Sequence, residues 1–304
     1  MLMYTVYIRF FYSEAKDKAG EHMGIEVREL NKKIGTFQLK DITFELPSGF
    51  ICGLIGENGA GKSTLLKTLM GLYKMDSGRC LLEGKDLWER EKEVKNNLGI
   101  VMEECLYEEY LTPKNLGKLY GPLYTNFSYT EYCSFLEQFQ LPLKKKIKKL
   151  SKGMAIKLQL AFALAHHPSI YLLDEPTANL DEEFRSIFWD LISEEAEKGA
   201  TVLISSHLTE DLDKRADYIG YIKKGELLFL KDWENLRESF WLLKAENYKL
   251  KQLPKDKVIA MEEGEFGGSA LILPWGGIDE KEYKREHLDL RRLMYYLRDY
   301  TEKV

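Results

Sequence analysis

The chain has 304 residues, a net charge of −5, 44% hydrophobic residues and 31% charged residues. That is enough for one large domain plus a smaller one, and it matches a soluble globular protein rather than a disordered or fibrous one. The acidic balance argues against a nucleic-acid binder that works by bulk electrostatics, and no apolar run approaches the ~20 residues a membrane-spanning helix needs.

In chain order, residues 1–12 (MLMYTVYIRFFY) are apolar but short and interrupted by Arg9. A signal peptide places its charge earlier and ends on small residues. A polar stretch without periodicity follows, and a new alternation opens at Met23. Residues 1–22 are therefore expected to be a peripheral extension with Met23 the natural start, and 1–23 to be the N-terminal segment ahead of the main domain. Residues 25–30 and 37–46 alternate as half-buried strands do, and 47–49 mark a turn. Residues 50–55 form a short apolar run, the pattern of a buried parallel strand. Residues 63–72 have helical spacing, 77–87 read as strand and turn, and 97–102 as another strand. From 104 to 165 the strand signals fade and apolar and aromatic residues recur at helical spacing, which predicts a helical insertion. Strands at 170–173 and 200–205 then alternate with helices at 182–198 and 208–215. This order predicts an α/β fold with a largely parallel sheet and helices on its faces. Residues 240–304, with strands near 257–261 and 269–273 and an amphipathic helix near 288–300, are expected to form a small α+β appendage. The four cysteines, Cys52, Cys80, Cys105 and Cys133, show no metal-ligand spacing and read as reduced thiols of a cytosolic protein.

The chemistry begins at residues 56–64, Gly56-Glu57-Asn58-Gly59-Ala60-Gly61-Lys62-Ser63-Thr64. Successive N–H groups in such a turn form a nest for an anion, and the helix that follows points its positive end at the phosphates. The three glycines let the backbone close around the ligand, Lys62 reaches the β- and γ-phosphates, and the Ser63 hydroxyl ligates magnesium. The pattern predicts binding and hydrolysis of ATP with Mg2+. A second element, Ile170-Tyr171-Leu172-Leu173-Asp174-Glu175, is an apolar strand ending in two acids. Asp174 suits a magnesium partner and Glu175 a base that polarises the attacking water. Alone, the pair would read equally well as solvated acids at a strand end. Ser151 in Leu150-Ser151-Lys152-Gly153-Met154 looks like an N-cap. His207 follows the apolar strand at 200–205; a lone histidine is more often structural, but beside the two nucleotide motifs it could contact a γ-phosphate.

These motifs together resemble the nucleotide-binding subunit of ATP-binding-cassette (ABC) proteins. The order matches: phosphate loop at 56–64, signature at 150–154, magnesium strand at 170–175, D-loop at Ala178-Asn179-Leu180-Asp181, and His207 as the switch histidine. The resemblance covers about residues 24–235, with residues 24–239 expected as the ATPase domain. It implies a P-loop NTPase fold with a mixed sheet core and a helical subdomain. It also implies a head-to-tail dimer holding two ATPs, each between the phosphate loop of one copy and Ser151 and Gly153 of the other, with Asp181 also at the nucleotide. Glu175 is then the hydrolytic base, and His207 and Lys62 contact the γ-phosphate. Three positions depart from the family's pattern. Glu103 stands where the family has Gln, and it retains the ability to ligate magnesium. The signature reads LSKGM rather than LSGGQ, so Lys152 either faces the partner's phosphates or faces solvent. Ile34 stands where an aromatic normally stacks on adenine, and Phe37, three residues on, can substitute.

The resemblance further implies a separate membrane permease as partner and a peripheral place at the cytoplasmic face of the cell membrane. LSKGM, Glu103 and the appendage resemble the drug- and peptide-exporting branch, including bacitracin-resistance-type exporters. The alternative is a soluble single-cassette ATPase, as in iron–sulfur assembly. The aromatic stretch 107–132 reads as helical core, and by resemblance holds the groove for the permease's coupling helix. Lys144-Lys145-Lys146-Ile147-Lys148-Lys149 reads as a solvated basic face, or as a contact for anionic lipid head groups.

Overall fold

The computed structural model describes residues 22–207, 209–278 and 282–300. Almost all of the expected N-terminal extension lies outside the described residues. Alternation builds the first layer. In β1 (Met23–Ile34) and β2 (Phe37–Pro47), Ile25, Val27, Leu39 and Ile42 turn inward and are fully buried. With β4 (Ser77–Leu82) and β5 (Lys85–Asp86) they form a four-stranded antiparallel sheet in the order β2-β1-β4-β5.

The second sheet positions the chemistry. It is six-stranded, in the order β10-β9-β3-β8-β7-β6. Its strands are β3 (Ile51–Ile55), β6 (Leu98–Met102), β7 (Ile170–Asp174), β8 (Thr201–Ser205), β9 (Tyr218–Lys223) and β10 (Glu226–Asp232). All neighbours are parallel except β9 and β10. Every residue of β3, β7 and β8 is buried, which is why these strands read as continuous apolar runs: both faces are covered. The β9–β10 hairpin was not among the expected strands, although Lys224-Gly225 between two apolar runs is a turn signal.

Three capped helices make the insertion: α3 (Pro113–Tyr120), α4 (Tyr129–Gln138) and α5 (Lys152–Leu164), following α1 (Lys62–Leu69) and α2 (Glu91–Asn96). Thr112, Ser128 and Ser151 accept from Asn115, Glu131 and Met154 N–H respectively, each satisfying a first-turn donor. The aromatic stretch fills the space between them. The rings of Tyr107, Tyr124, Phe127 and Tyr132 lie 5.4, 5.4, 5.0 and 5.8 Å from that of Phe162 on α5. The Tyr132 hydroxyl donates to Pro113 O at 2.7 Å. A buried side chain ties the insertion to the sheet: Gln159 accepts from Met102 N–H at 3.3 Å and donates to Met102 O at 2.9 Å.

After β7 come α6 (Glu182–Glu197), β8, α7 (Thr209–Arg215), the hairpin and α8 (Trp233–Ser239). The C-terminal segment contains β11 (Trp241–Ala245), α9 (Asn247–Leu250), β12 (Val258–Gly264), β13 (Gly267–Ile272), β14 (Lys284–Glu286) and α10 (Leu290–Tyr300), with its sheet in the order β12-β13-β11-β14. Strands at 241–245 and 284–286 add to the two expected there. Leu243, Leu250, Leu253, Ala270 and Ile272 form a small core of its own. Leu242, Leu271, Leu290, Leu293 and Tyr296 instead join the core that contains Phe162 and Leu173. The appendage is thus packed onto the main body of the chain through α10 and one face of its sheet.

Candidate functional site

Strand β3 ends at Ile55 and the chain turns at once into the phosphate loop. Gly56 has φ +155°, and a Cβ there would lie 2.3 Å from Ile222 O on β9, so only glycine lets the loop leave the sheet at this point. Gly61 precedes α1, and no side chain accepts from the helix's first turn. Those N–H groups remain for an anion. Lys62 is nearly buried; its ammonium donates to Gly56 O at 2.8 Å and to Glu57 O at 3.3 Å. Burial pulls its pKa below the ordinary lysine value, opposed by the carboxylates Glu175 and Asp174. A phosphate would act in the same direction as those carboxylates and favour the charged form.

The sheet's register brings the acids to this loop. Asp174 ends β7 opposite Ser205 of β8. Asp174 Oδ1 accepts from the Ser63 hydroxyl at 2.9 Å and from the Ser205 hydroxyl at 2.7 Å. Glu175 follows in the left-handed region at φ +49°, which carries its side chain out of the strand's alternation. Its N–H donates to Ser205 Oγ at 3.0 Å. Its carboxylate accepts from His207 N–H at 3.2 Å and meets His207 Nδ1 at 2.6 Å. Ser205 links the two acids, yet the sequence reading passed over it. Its signal is a hydroxyl ending a buried strand, and that gains meaning only once the register sets it beside Asp174.

One cleft of about 670 Å³ is lined by Ile34, Phe37, Asn58, Gly59, Gly61, Lys62, Ser63, Thr64, Glu103, Glu175, Ala178 and His207. Most of the residues expected at the nucleotide therefore meet in one place, and both Phe37 and Ile34 are among the cleft's lining residues. Gly56 and Ala60 support the loop without lining the cleft, and Asp174 lies behind Ser63. Glu103, at the end of β6, pairs with Lys152 of α5 at 3.1 Å. Lys152 is thus both solvent-exposed and tied to its own chain's cleft.

Ser151, Gly153 and Asp181 do not line this cleft. Ser151 caps α5. A Cβ on Gly153 would lie 2.5 Å from Asn179 O, so the signature helix rests directly on the loop that follows Glu175. Asp181 caps α6 through Phe184 N–H at 2.8 Å and lies 3.6 Å from Lys157 of α5. Signature and D-loop form one packed unit. Replacing Gly153 by Ala should force them apart and lower ATP turnover by about 10²-fold, a cost typical of misplacing a reacting group by ~1 Å. ATP binding to the isolated chain should not change. Parallel measurements of turnover and nucleotide affinity check this; equal losses in both would mean that the glycine serves the phosphate loop instead.

A glycine-rich loop between a buried parallel strand and a helix, with its lysine beside the acid-ended strand two places along the same sheet, defines a P-loop nucleotide-hydrolysing protein. Residues 39–178 match the family described as ABC transporter. The chain is 32% identical over 218 residues to the ABC transporter ATP-binding protein YtrB of Bacillus subtilis, covering 71% of this chain and 74% of that one. It is 34% identical over 234 residues to the lantibiotic transport ATP-binding protein SrtF of Streptococcus pyogenes, covering 71% and 95%. A solved ATP-binding subunit of an ABC transporter superposes with a TM-score of 0.65 at 27% identity, over 70% of this chain and 91% of that one. The chain belongs to the ABC transporter ATP-binding proteins and is an ATPase.

Proposed function

We propose that this chain is the ATP-hydrolysing subunit of a bacterial exporter, working as a pair of copies around two ATPs and driving a separate membrane permease. The observation that carries the reading is the division of the site. Lys62, Ser63, Glu103, Glu175 and His207 share one cleft, whereas Ser151 and Gly153 lie outside it. A second copy, related by a two-fold axis, would bring its Ser151 and Gly153 to the open side of this cleft and receive this copy's pair in return.

In that arrangement the phosphate-loop N–H groups and Lys62 bind the β- and γ-phosphates. Phe37, with Ile34, packs against the base. The hydroxyl of Ser63 and the carboxylates of Asp174 and Glu103 are hard oxygen donors, a set that fits Mg2+ when phosphates and water complete its shell. Magnesium, when bound, neutralises charge on the phosphates during transfer. Glu175 orients and deprotonates the attacking water. His207, whose Nδ1 lies 2.6 Å from the Glu175 carboxylate, would contact the γ-phosphate from the same cleft.

Coupling to a permease is supported by the insertion's surface. Tyr110, Leu119 and Leu123 are 68%, 58% and 69% exposed beside the aromatic core, an apolar surface that suits a partner helix. Among the described residues no helix is long and apolar enough to cross a membrane, so this chain would sit peripherally at the cytoplasmic face. The likeness to a lantibiotic transport protein supports a peptide or drug-like cargo. Residues 24–239 then act as the ATPase domain and 240–304 as an accessory unit. Purification from detergent-solubilised membranes of the native cell should recover a multispan protein with this chain. Recovery only in a soluble complex would reject the exporter reading.

A further inference from the structure

Residues 240–304 lie far in sequence from every nucleotide motif, and a role remote from the nucleotide is the natural expectation. In space the separation vanishes. A second cleft, about 470 Å³, lies between α10 and the ATPase body; Glu57 of the phosphate loop and His207 are among its lining residues. His207 lines both clefts. From α10 the wall receives Arg291, Met294, Tyr295 and Arg298. The helix is fastened there: Leu290 N–H donates to Asp213 Oδ1 at 3.1 Å, and Lys223 Nζ to Arg298 O at 2.6 Å. The facing wall carries Glu57, Glu210 and Asp211, and Asp211 lies 4.0 Å from Arg185 of α6. The exposed side chains contributed by α10 are therefore cationic or aromatic.

What would approach this wall follows from the packing of the signature helix. Because Gly153 rests on Asn179 O and Lys157 lies 3.6 Å from Asp181, the start of α6 travels with Ser151. When a second copy brings its Ser151 and Gly153 to the nucleotide beside His207, it brings the start of its α6 as well. That start reads Asp181-Glu182-Glu183, and all three residues are exposed. Asp181 is engaged as a cap, and Glu182 and Glu183 follow it as the acidic residues of the helix's first turn. They would arrive next to the cleft that shares His207.

We propose that Arg291 and Arg298 of α10 receive Glu182 and Glu183 of a second copy of this chain, making the C-terminal appendage an electrostatic clamp on the nucleotide-bound dimer. The inference rests on the paired arrangement described above. By two-fold symmetry the clamp forms twice, at the two ends of the shared interface. Close charge pairs across an interface contribute more than exposed pairs within one chain, and opposite charges also speed encounter.

The test uses the full chain carrying Glu175→Gln, with ATP, and dimer dissociation constants from analytical ultracentrifugation. R291E/R298E should weaken the ATP-dependent dimer by at least about tenfold, as should E182R/E183R. Combining the four substitutions should restore most of the loss, and the effect should shrink at high salt, where exposed charges are screened. Restoration by the combined variant excludes misfolding as the cause of the single-side losses. If the parent chain dimerises with ATP and neither pair of substitutions changes its affinity, or the combined variant is no tighter than either, the clamp is wrong. If the parent itself stays monomeric with ATP, the paired arrangement fails instead, and the clamp with it.

Discussion

Glu175→Gln will lower steady-state ATP turnover by about 10²–10⁴-fold, the span associated with loss of a positioned general base, while ATP binding persists. The amide keeps the size of the carboxylate and can still bond His207, so the loop at φ +49° keeps its shape. What disappears is the basic oxygen. Lys62, Ser63 and the loop N–H groups are untouched, so nucleotide should still load and a nucleotide-bound dimer should accumulate. Phosphate release and size measurement on the same sample check both halves. Full turnover in the variant would mean that another group activates the water, and Glu103 is then the carboxylate in the same cleft to examine.

Lys62→Ala acts earlier, at binding. The Lys62 ammonium is held against the carbonyls of Gly56 and Glu57 at 2.8 and 3.3 Å, ready to transfer its donors to phosphate oxygens. Hydrogen bonds to a charged group contribute about 1.5–3 kcal/mol, so the affinity for ATP should fall by about 10–10²-fold. Its removal also takes a donor from Gly56 O, while Glu57 O keeps the Ala60 N–H at 3.1 Å, so the loop loses a tether as well as charge. A titration with a fluorescent ATP analogue measures the loss. An unchanged affinity would place the phosphates outside the loop.

Much of this site was legible before any coordinates. The phosphate loop declares itself because its backbone demands glycines at fixed spacing, and β3 and β7 do so because strands covered on both faces contain little but apolar residues. The acids of Asp174 and Glu175 were visible for the same reason: nothing polar belongs in such a run except at its end. The remainder depends on contacts between distant segments. Ser205 acquires its place only through the β7–β8 register. The pairing of Glu103 with Lys152 joins residues 49 positions apart, and neither residue alone signals the other. The approach of α10 to His207 joins the end of the chain to its nucleotide site, which local periodicity cannot report. The β9–β10 hairpin is a different case, since its turn signal was present and its runs were short.

Gln159 has a consequence beyond holding the insertion in place. β6 is the outermost strand on its side of the six-stranded sheet, and an edge strand presents unpaired peptide groups to any passing chain. By accepting from the N–H of Met102 and donating to its C=O, the amide of Gln159 imitates the peptide of a missing neighbour at the strand's last residue. The same helix that carries the signature therefore also acts as a lid on a sticky edge. Under the pairing proposed above, two copies would meet through the nucleotide face, and a covered strand end would remove one competing route to edge-to-edge association.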